Sequence, residues 1–126
     1  MKKFTLFVAL VLALFYGVKN LIISGKFERF FERNKEIKLI ENIQYRIGVA
    51  YYVKSEYGKA ITHYQKFRKL YPKSKYDEDV DFYVASSYEE SIKRQEAARL
   101  FEEFLKKYPN SVRVKIVENK VLYLRN

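Results

Sequence analysis

Residues 47–74 read IGVAYYVKSEYGKAITHYQKFRKLYPKS, and residues 84–111 read VASSYEESIKRQEAARLFEEFLKKYPNS. The two stretches align without a gap at an offset of 37. Ile47-Gly48 matches Val84-Ala85, Tyr51 matches Tyr88, and Ala60 matches Ala97. Tyr64 and Phe67 match Phe101 and Phe104, and Tyr71-Pro72-Lys73-Ser74 matches Tyr108-Pro109-Asn110-Ser111. Agreement at so many independent positions marks an internal repeat. Apolar residues fall at helical spacing in the first copy, at Ile43, Ile47, Ala50 and Tyr51, then at Ala60, Ile61, Tyr64, Phe67 and Leu70. The second copy repeats this with Val80, Val84, Ala85 and Tyr88, then Ala97, Leu100, Phe101, Phe104 and Leu105. Each copy is expected to form a helical hairpin. Gly48 and Ala85 let the second helix approach the first closely, Ala60 and Ala97 are the reciprocal small contacts, and the aromatics fill the space around them. Pro72 and Pro109 end the second helix, because proline lacks an N–H and disfavours helix in the residue before it.

These residues resemble the tetratricopeptide repeat (TPR), whose pattern sets an apolar residue, Gly or Ala, Tyr, then Ala, an aromatic and Pro at fixed offsets. The resemblance runs from about Glu41 to Ser74 and from Glu78 to Ser111, slightly more than half the chain. The 37-residue spacing and the Tyr-Pro-x-Ser ending look like a subgroup of bacterial envelope TPR proteins. That subgroup includes the lipoprotein of the outer-membrane barrel-assembly machinery and the periplasmic coordinator of the Tol–Pal system. The resemblance implies an all-α fold and a protein-binding role without a cofactor. Shifting the repeat forward makes Lys115–Asn126 the first helix of a truncated third unit, a capping helix with Val121 and Leu122 at the closely packed positions. Shifting it backward aligns Phe27 and Phe30 with Phe101 and Phe104, so residues 24–35 are either the second helix of a degenerate unit or a simple linker. The expected organisation is an N-terminal hydrophobic segment (1–23), a connecting helix (24–40), two repeats (41–75 and 76–112) and a C-terminal capping helix (113–126).

The first segment has Lys2 and Lys3 ahead of an apolar run from Phe4 to Val18, which Lys19 and Asn20 interrupt and Leu21–Ile23 resume. A signal peptide shares the basic start and apolar stretch, but its small-x-small cleavage site is poor here. The best match, Val11-Leu12-Ala13, would leave an apolar start at Leu14-Phe15-Tyr16. The 20 residues Phe4–Ile23 make about 30 Å of helix, the thickness of a bilayer core. We therefore expect a signal-anchor more than a cleaved signal, with Lys19 snorkelling to the headgroups. The run is apolar on all faces, which argues against a buried helix of a soluble domain. Lys2 and Lys3 favour a cytoplasmic N-terminus and a periplasmic repeat domain held on the bacterial inner membrane. Lys19, Lys26, Arg29, Arg33 and Lys35 on the other flank favour a cytoplasmic domain. Both orientations stay open, with export preferred.

The net charge of +10 is unevenly spread. Residues 1–40 carry +5, 41–75 carry +6, 76–112 carry −4 and 113–126 carry +3. A dedicated nucleic-acid binder keeps one basic stripe along its length. The alternation suits head-to-tail self-association of a basic first unit on an acidic second one. Lys66, Arg68, Lys69, Lys73 and Lys75, interleaved with Tyr64, Tyr71 and Tyr76, form a basic patch that suits phosphates, bases or anionic lipid. The bland alternative is a solvated helix face.

Chemistry has little to work with. There is no cysteine, hence no disulfide, no thiol nucleophile and no lipidated N-terminal Cys. One histidine, His63, cannot build a structural zinc site or serve a triad, and no serine sits in a Gly-x-Ser-x-Gly turn. His63 reads as a helix-surface residue. The four glycines are scattered, so there is no phosphate loop. Asp77-Glu78-Asp79-Val80-Asp81 opens like a calcium loop, but Phe82 and Tyr88 stand where its glycine and glutamate belong. These acids read better as the first turn of a helix, where the dipole favours negative charge. No enzyme activity, metal or cofactor is expected.

In a TPR stack the first helix of each unit lines the concave surface. On that resemblance, the candidate partner-binding positions are Tyr45, Val49 and Tyr52, then Phe82, Ser86 and Glu89, continued by Asn119 and Tyr123. Aromatics supply much of the energy at binding hot spots. Phe82 is equally placed to pack against the neighbouring repeat. TPR domains that clamp chaperone C-termini use Lys and Asn where this chain has Tyr45 and Val49, which puts that function in doubt. Two and a half repeats make a small core, so a partner, self-association or the N-terminal helix is expected to add stability.

Overall fold

The structure, a computed structural model, describes residues 2–126, with the side chains of 3–20 and 24–126. Among the described residues seven helices follow one another, α1 (Lys2–Ile23), α2 (Lys26–Arg33), α3 (Lys38–Val53), α4 (Tyr57–Leu70), α5 (Asp77–Glu90), α6 (Arg94–Lys107) and α7 (Val114–Arg125). They divide into two compact units, Met1–Ile40 and Glu41–Asn126.

In the first unit, α1 runs for 22 residues, about 33 Å at helical rise. Its Lys3–Asn20 window is long and apolar enough to cross a membrane, and none of that window is buried. The side chains of the resumed apolar stretch Leu21–Ile23 lie outside the described residues. Gly25 ends the run in the left-handed region at φ 67°, a conformation glycine adopts without steric cost. In α2, Phe31 is buried beside Phe27 and Phe30, at ring separations of 5.3 and 5.9 Å. Phe30, which the repeat aligns with buried Phe104, is 53% exposed. The burial pattern of a second repeat helix is therefore not reproduced in α2.

The second unit is built by the repeat. A Cβ placed on Gly48 would overlap the Tyr64 ring, 2.9 Å from its Cδ1 and closer still to Cε1 and Cζ. The small residue is thus required by the approach of α4 to α3. Ala60, Tyr64 and Phe67 on α4 and Ala97, Phe101 and Phe104 on α6 are all buried. Tyr71 and Tyr108 lie tilted against the aromatic one turn earlier, 5.0 Å from Phe67 and 4.9 Å from Phe104.

The connections repeat as closely as the helices. At the end of α3 the Glu56 N–H donates to the Tyr51 carbonyl and the Ser55 N–H to that of Tyr52, both at 2.9 Å. Lys93 and Ile92 do the same to Tyr88 and Glu89 after α5, both at 3.0 Å. This is the Schellman closure, whose turning residue is left-handed and usually glycine. Here it is Ser55 at φ 60° and Ile92 at φ 61°. After α4 and α6, the serine of Tyr-Pro-x-Ser holds the next helix start. Ser74 Oγ accepts from the Tyr76 N–H at 3.1 Å and donates to Glu41. Ser111 Oγ accepts from the Arg113 N–H at 3.0 Å and donates to Glu78 at 2.5 Å. Asp77, Glu78 and Asp79 fill the first turn of α5, as the dipole argument requires.

Candidate partner-binding surface

Four of the side chains expected to face a partner, Tyr45, Tyr52, Phe82 and Glu89, also make contacts between successive hairpins. Tyr45 stacks on Tyr76 with centroids 4.1 Å apart and planes 6° from parallel, and its hydroxyl donates to Asp79 at 3.2 Å. Asn42 donates to the Tyr76 hydroxyl at 2.5 Å. Tyr52 meets Tyr83 edge-on at 5.0 Å. One repeat later, the Arg113 guanidinium lies over the Phe82 ring at 5.0 Å and pairs with Asp79 at 2.7 Å and Glu78 at 3.2 Å. Glu89 pairs with Lys120 at 2.6 Å, and that ammonium also sits 5.6 Å from the Phe101 ring. The pairs 45–76, 52–83, 82–113 and 89–120 share one separation, 31 residues. The same joint is built twice, from aromatic stacking the first time and from cation–π and ionic contacts the second.

Of the expected surface, Tyr45, Tyr52, Phe82 and Glu89 are half-buried by these joints, and Ser86 is 2% exposed. Burial first, then the Asp79 carboxylate, pushes the Tyr45 phenol up to about 12. Burial first, then the Glu90 carboxylate, raises the Tyr52 phenol. Val49 is half-buried. Asn119 and Tyr123 are open, with Tyr123 65% exposed and the Arg94 guanidinium 4.9 Å from its ring. Ile116 and Leu122 on the same helix are also more than half exposed. The accessible apolar surface of this unit is therefore concentrated on α7, with isolated additions such as Ile92 and Val112.

The basic patch is broken at its centre. Arg68 is ion-paired with Asp81, which also takes Lys107 at 2.9 Å and the Tyr108 hydroxyl at 2.7 Å. Burial, ahead of the Asp81 hydrogen bond and charge, pushes Tyr108 up to about 12. Lys66, Lys69, Lys73 and Lys75 are exposed, and the Lys75 ammonium lies 5.0 Å from the Tyr76 ring. Arg68, Asp81, Leu100, Glu103, Phe104 and Lys107 line a cleft of about 260 Å³ in which the opposite charges neutralise one another. Acids of the negative stretch are likewise matched within the chain, Glu102 by Arg125 at 2.8 Å as well as Glu78, Asp79, Asp81 and Glu89 above. That pairing removes much of the charge argument for head-to-tail association. His63 is half-buried rather than on the open helix surface, with Nε2 2.7 Å from the Gln44 carbonyl and its ring edge-on to Tyr51. Among the described residues no group of three His, Cys, Asp or Glu side chains is arranged to hold a metal.

The 31-residue joint was visible in the sequence only as complementary residue pairs, with Glu89 and Lys120 the clearest. The repeat alone marks such positions as recurrent. It does not say whether they face a groove or a neighbouring helix.

No curated protein matches the sequence. The family model YfiO, described as outer membrane lipoprotein, matches residues 39–126, which take in nearly all of α3 and every later helix. The match covers well over half of the chain, and this protein belongs to the YfiO outer membrane lipoprotein family.

Proposed function

We propose that this protein is a non-catalytic adaptor of a bacterial envelope complex, held on the inner membrane by α1 with its repeat unit in the periplasm. Family membership supports an envelope role in partnership with other proteins. The family is described by its lipid attachment, yet this sequence has no cysteine to carry one. A retained α1, apolar over Lys3–Asn20, supplies membrane attachment by another route. The adaptor reading rests above all on how the polar side chains of residues 41–126 are used. Glu41, Glu78, Asp79, Asp81 and Glu89 hold helices together. Tyr123, Leu122 and Ile116 meanwhile present apolar surface to solvent. Such a unit binds and does not react.

Photocrosslinking from position 123 in the native membrane tests this. The expected result is one discrete envelope protein captured from Tyr123, and lost when Asn119→Ala and Leu122→Ala are added to a chain of unchanged helicity. Capture of lipid or nucleic acid alone would overturn it. Intact mass of the mature protein checks the anchor, since cleavage after Ala13 would remove Phe4–Ala13 and leave an apolar remnant too short to span a bilayer.

A further inference from the structure

The first unit holds a second feature, one that neither the repeats nor the family match explains. Helix α2, Lys26–Arg33, is sorted by charge around its axis. At 100° per residue, Arg29, Arg33 and Lys26 share one sector with Phe30 on one edge, Phe27 and Phe31 lie on the far side, and Glu28 and Glu32 follow, with Glu32 on the other edge about 60° from Arg29. Lys26, Arg29, Phe30 and Arg33 together line an open basin of about 350 Å³. Phe31 is buried, whereas Phe30 stays 53% exposed among the three cations. A side chain so apolar, left at the lip of a cationic basin, matches a ligand that is anionic at one end and apolar at the other.

Position narrows the ligand further. Only Ser24 and Gly25 separate α1 from α2, so α2 begins within about 10 Å of the end of α1. If α1 spans the bilayer, that distance is about one Debye length from the headgroup phosphates. We propose that α2 is an interfacial helix that gathers anionic phospholipid, with Lys26, Arg29 and Arg33 on the headgroup phosphates and Phe30 among the upper acyl carbons. This inference rests on the reading of α1 as a retained anchor. Basic side chains near an anionic leaflet each strengthen such contacts by about fivefold. The site would thus make the junction between anchor and repeats sensitive to lipid composition.

The test uses the full chain in vesicles of phosphatidylcholine with phosphatidylglycerol. The protein has no tryptophan, so Phe30→Trp introduces a single reporter. Acyl-brominated phosphatidylglycerol should quench it about twofold more strongly than brominated phosphatidylcholine at equal mole fraction. Lys26→Gln/Arg29→Gln/Arg33→Gln should bring that ratio to one. So should raising salt to about 1 M, where the Debye length falls to about 3 Å, and this arm needs no further substitution. Equal quenching by both lipids, or a ratio unmoved by salt, would overturn the inference. Leu10→Trp separates the two readings. Quenching there without lipid preference at position 30 leaves the anchor standing and removes the lipid site, whereas no quenching at position 10 removes the anchor itself.

Discussion

Replacing Gly48 by alanine tests the account of the hairpin most directly. The added Cβ meets the Tyr64 ring, and even the Cδ1 atom, 2.9 Å away, is well inside normal contact. Tyr64 cannot retreat. It is fully buried, parallel to Tyr83 at 6.3 Å and edge-on to Phe67 at 6.5 Å. Overpacking of this kind costs about 1–3 kcal/mol. Overlap with a buried ring that cannot move sets the cost in the upper part of that range, about 2–3 kcal/mol, and alanine gives back about 1 kcal/mol of helix propensity relative to glycine, so Gly48→Ala should be about 1–2 kcal/mol less stable. At the matching position of the next repeat the sign of the substitution reverses. There Ala85 is already accommodated in the buried cluster with Phe101, and Ala85→Gly should lose about 2 kcal/mol from the missing methyl and the lower propensity. The assay is urea unfolding of the full chain in mild detergent, followed by near-ultraviolet dichroism of the tyrosines. Tyr64→Leu would relieve the clash, so Gly48→Ala/Tyr64→Leu should fall short of the sum of the single losses by at least about 0.5 kcal/mol. A Gly48→Ala protein as stable as the parent would refute the close approach of α4 to α3.

Three further outcomes follow from the same structure. Tyr45 and Tyr108 ionise near 12 when folded and near 10 when not. The folded state holds the extra proton, so their contribution is complete below about pH 10 and lost as pH rises towards 12; absorbance of these tyrosinates should rise together with loss of helix, and titration at pH 10 with helicity unchanged would contradict this. Ile92, 85% exposed at φ 61°, is a β-branched residue in a region that costs it about 1–2 kcal/mol, so Ile92→Gly should raise the urea midpoint, and a lower midpoint would show that its backbone is not left-handed. Arg113→Ala removes the cation over Phe82 and the partner of Glu78 and Asp79; a loss of about 1–2 kcal/mol is expected, and a similar loss in Arg113→Lys would confirm that the planar guanidinium matters, whereas full rescue by lysine would reduce the contact to charge alone.

What the sequence made legible was whatever repeats with a local cause. Gly48, Ala85, Pro72 and Pro109 each specify a backbone event, and a 37-residue offset multiplies the signal. The acids of Asp77–Asp79 were legible for the same reason, since a helix dipole acts on its own first turn. The joint between hairpins was legible only as scattered complementary pairs such as Glu89 and Lys120, because it lies across 31 residues and changes chemistry from one occurrence to the next. Tyr45 on Tyr76 and Phe82 under Arg113 share a geometry but no residue type. An exposed aromatic and an interhelical aromatic also look alike on a helical wheel. The distinction matters for function. Substituting Tyr45, Tyr52 or Phe82 would loosen the stack, and lost partner binding could then not be told from lost structure. Tyr123 sits on α7 at the position that corresponds to Ser86, yet it is open where Ser86 is closed. A surface variant there separates binding from folding, which makes α7 the place where an adaptor role can be tried on its own terms.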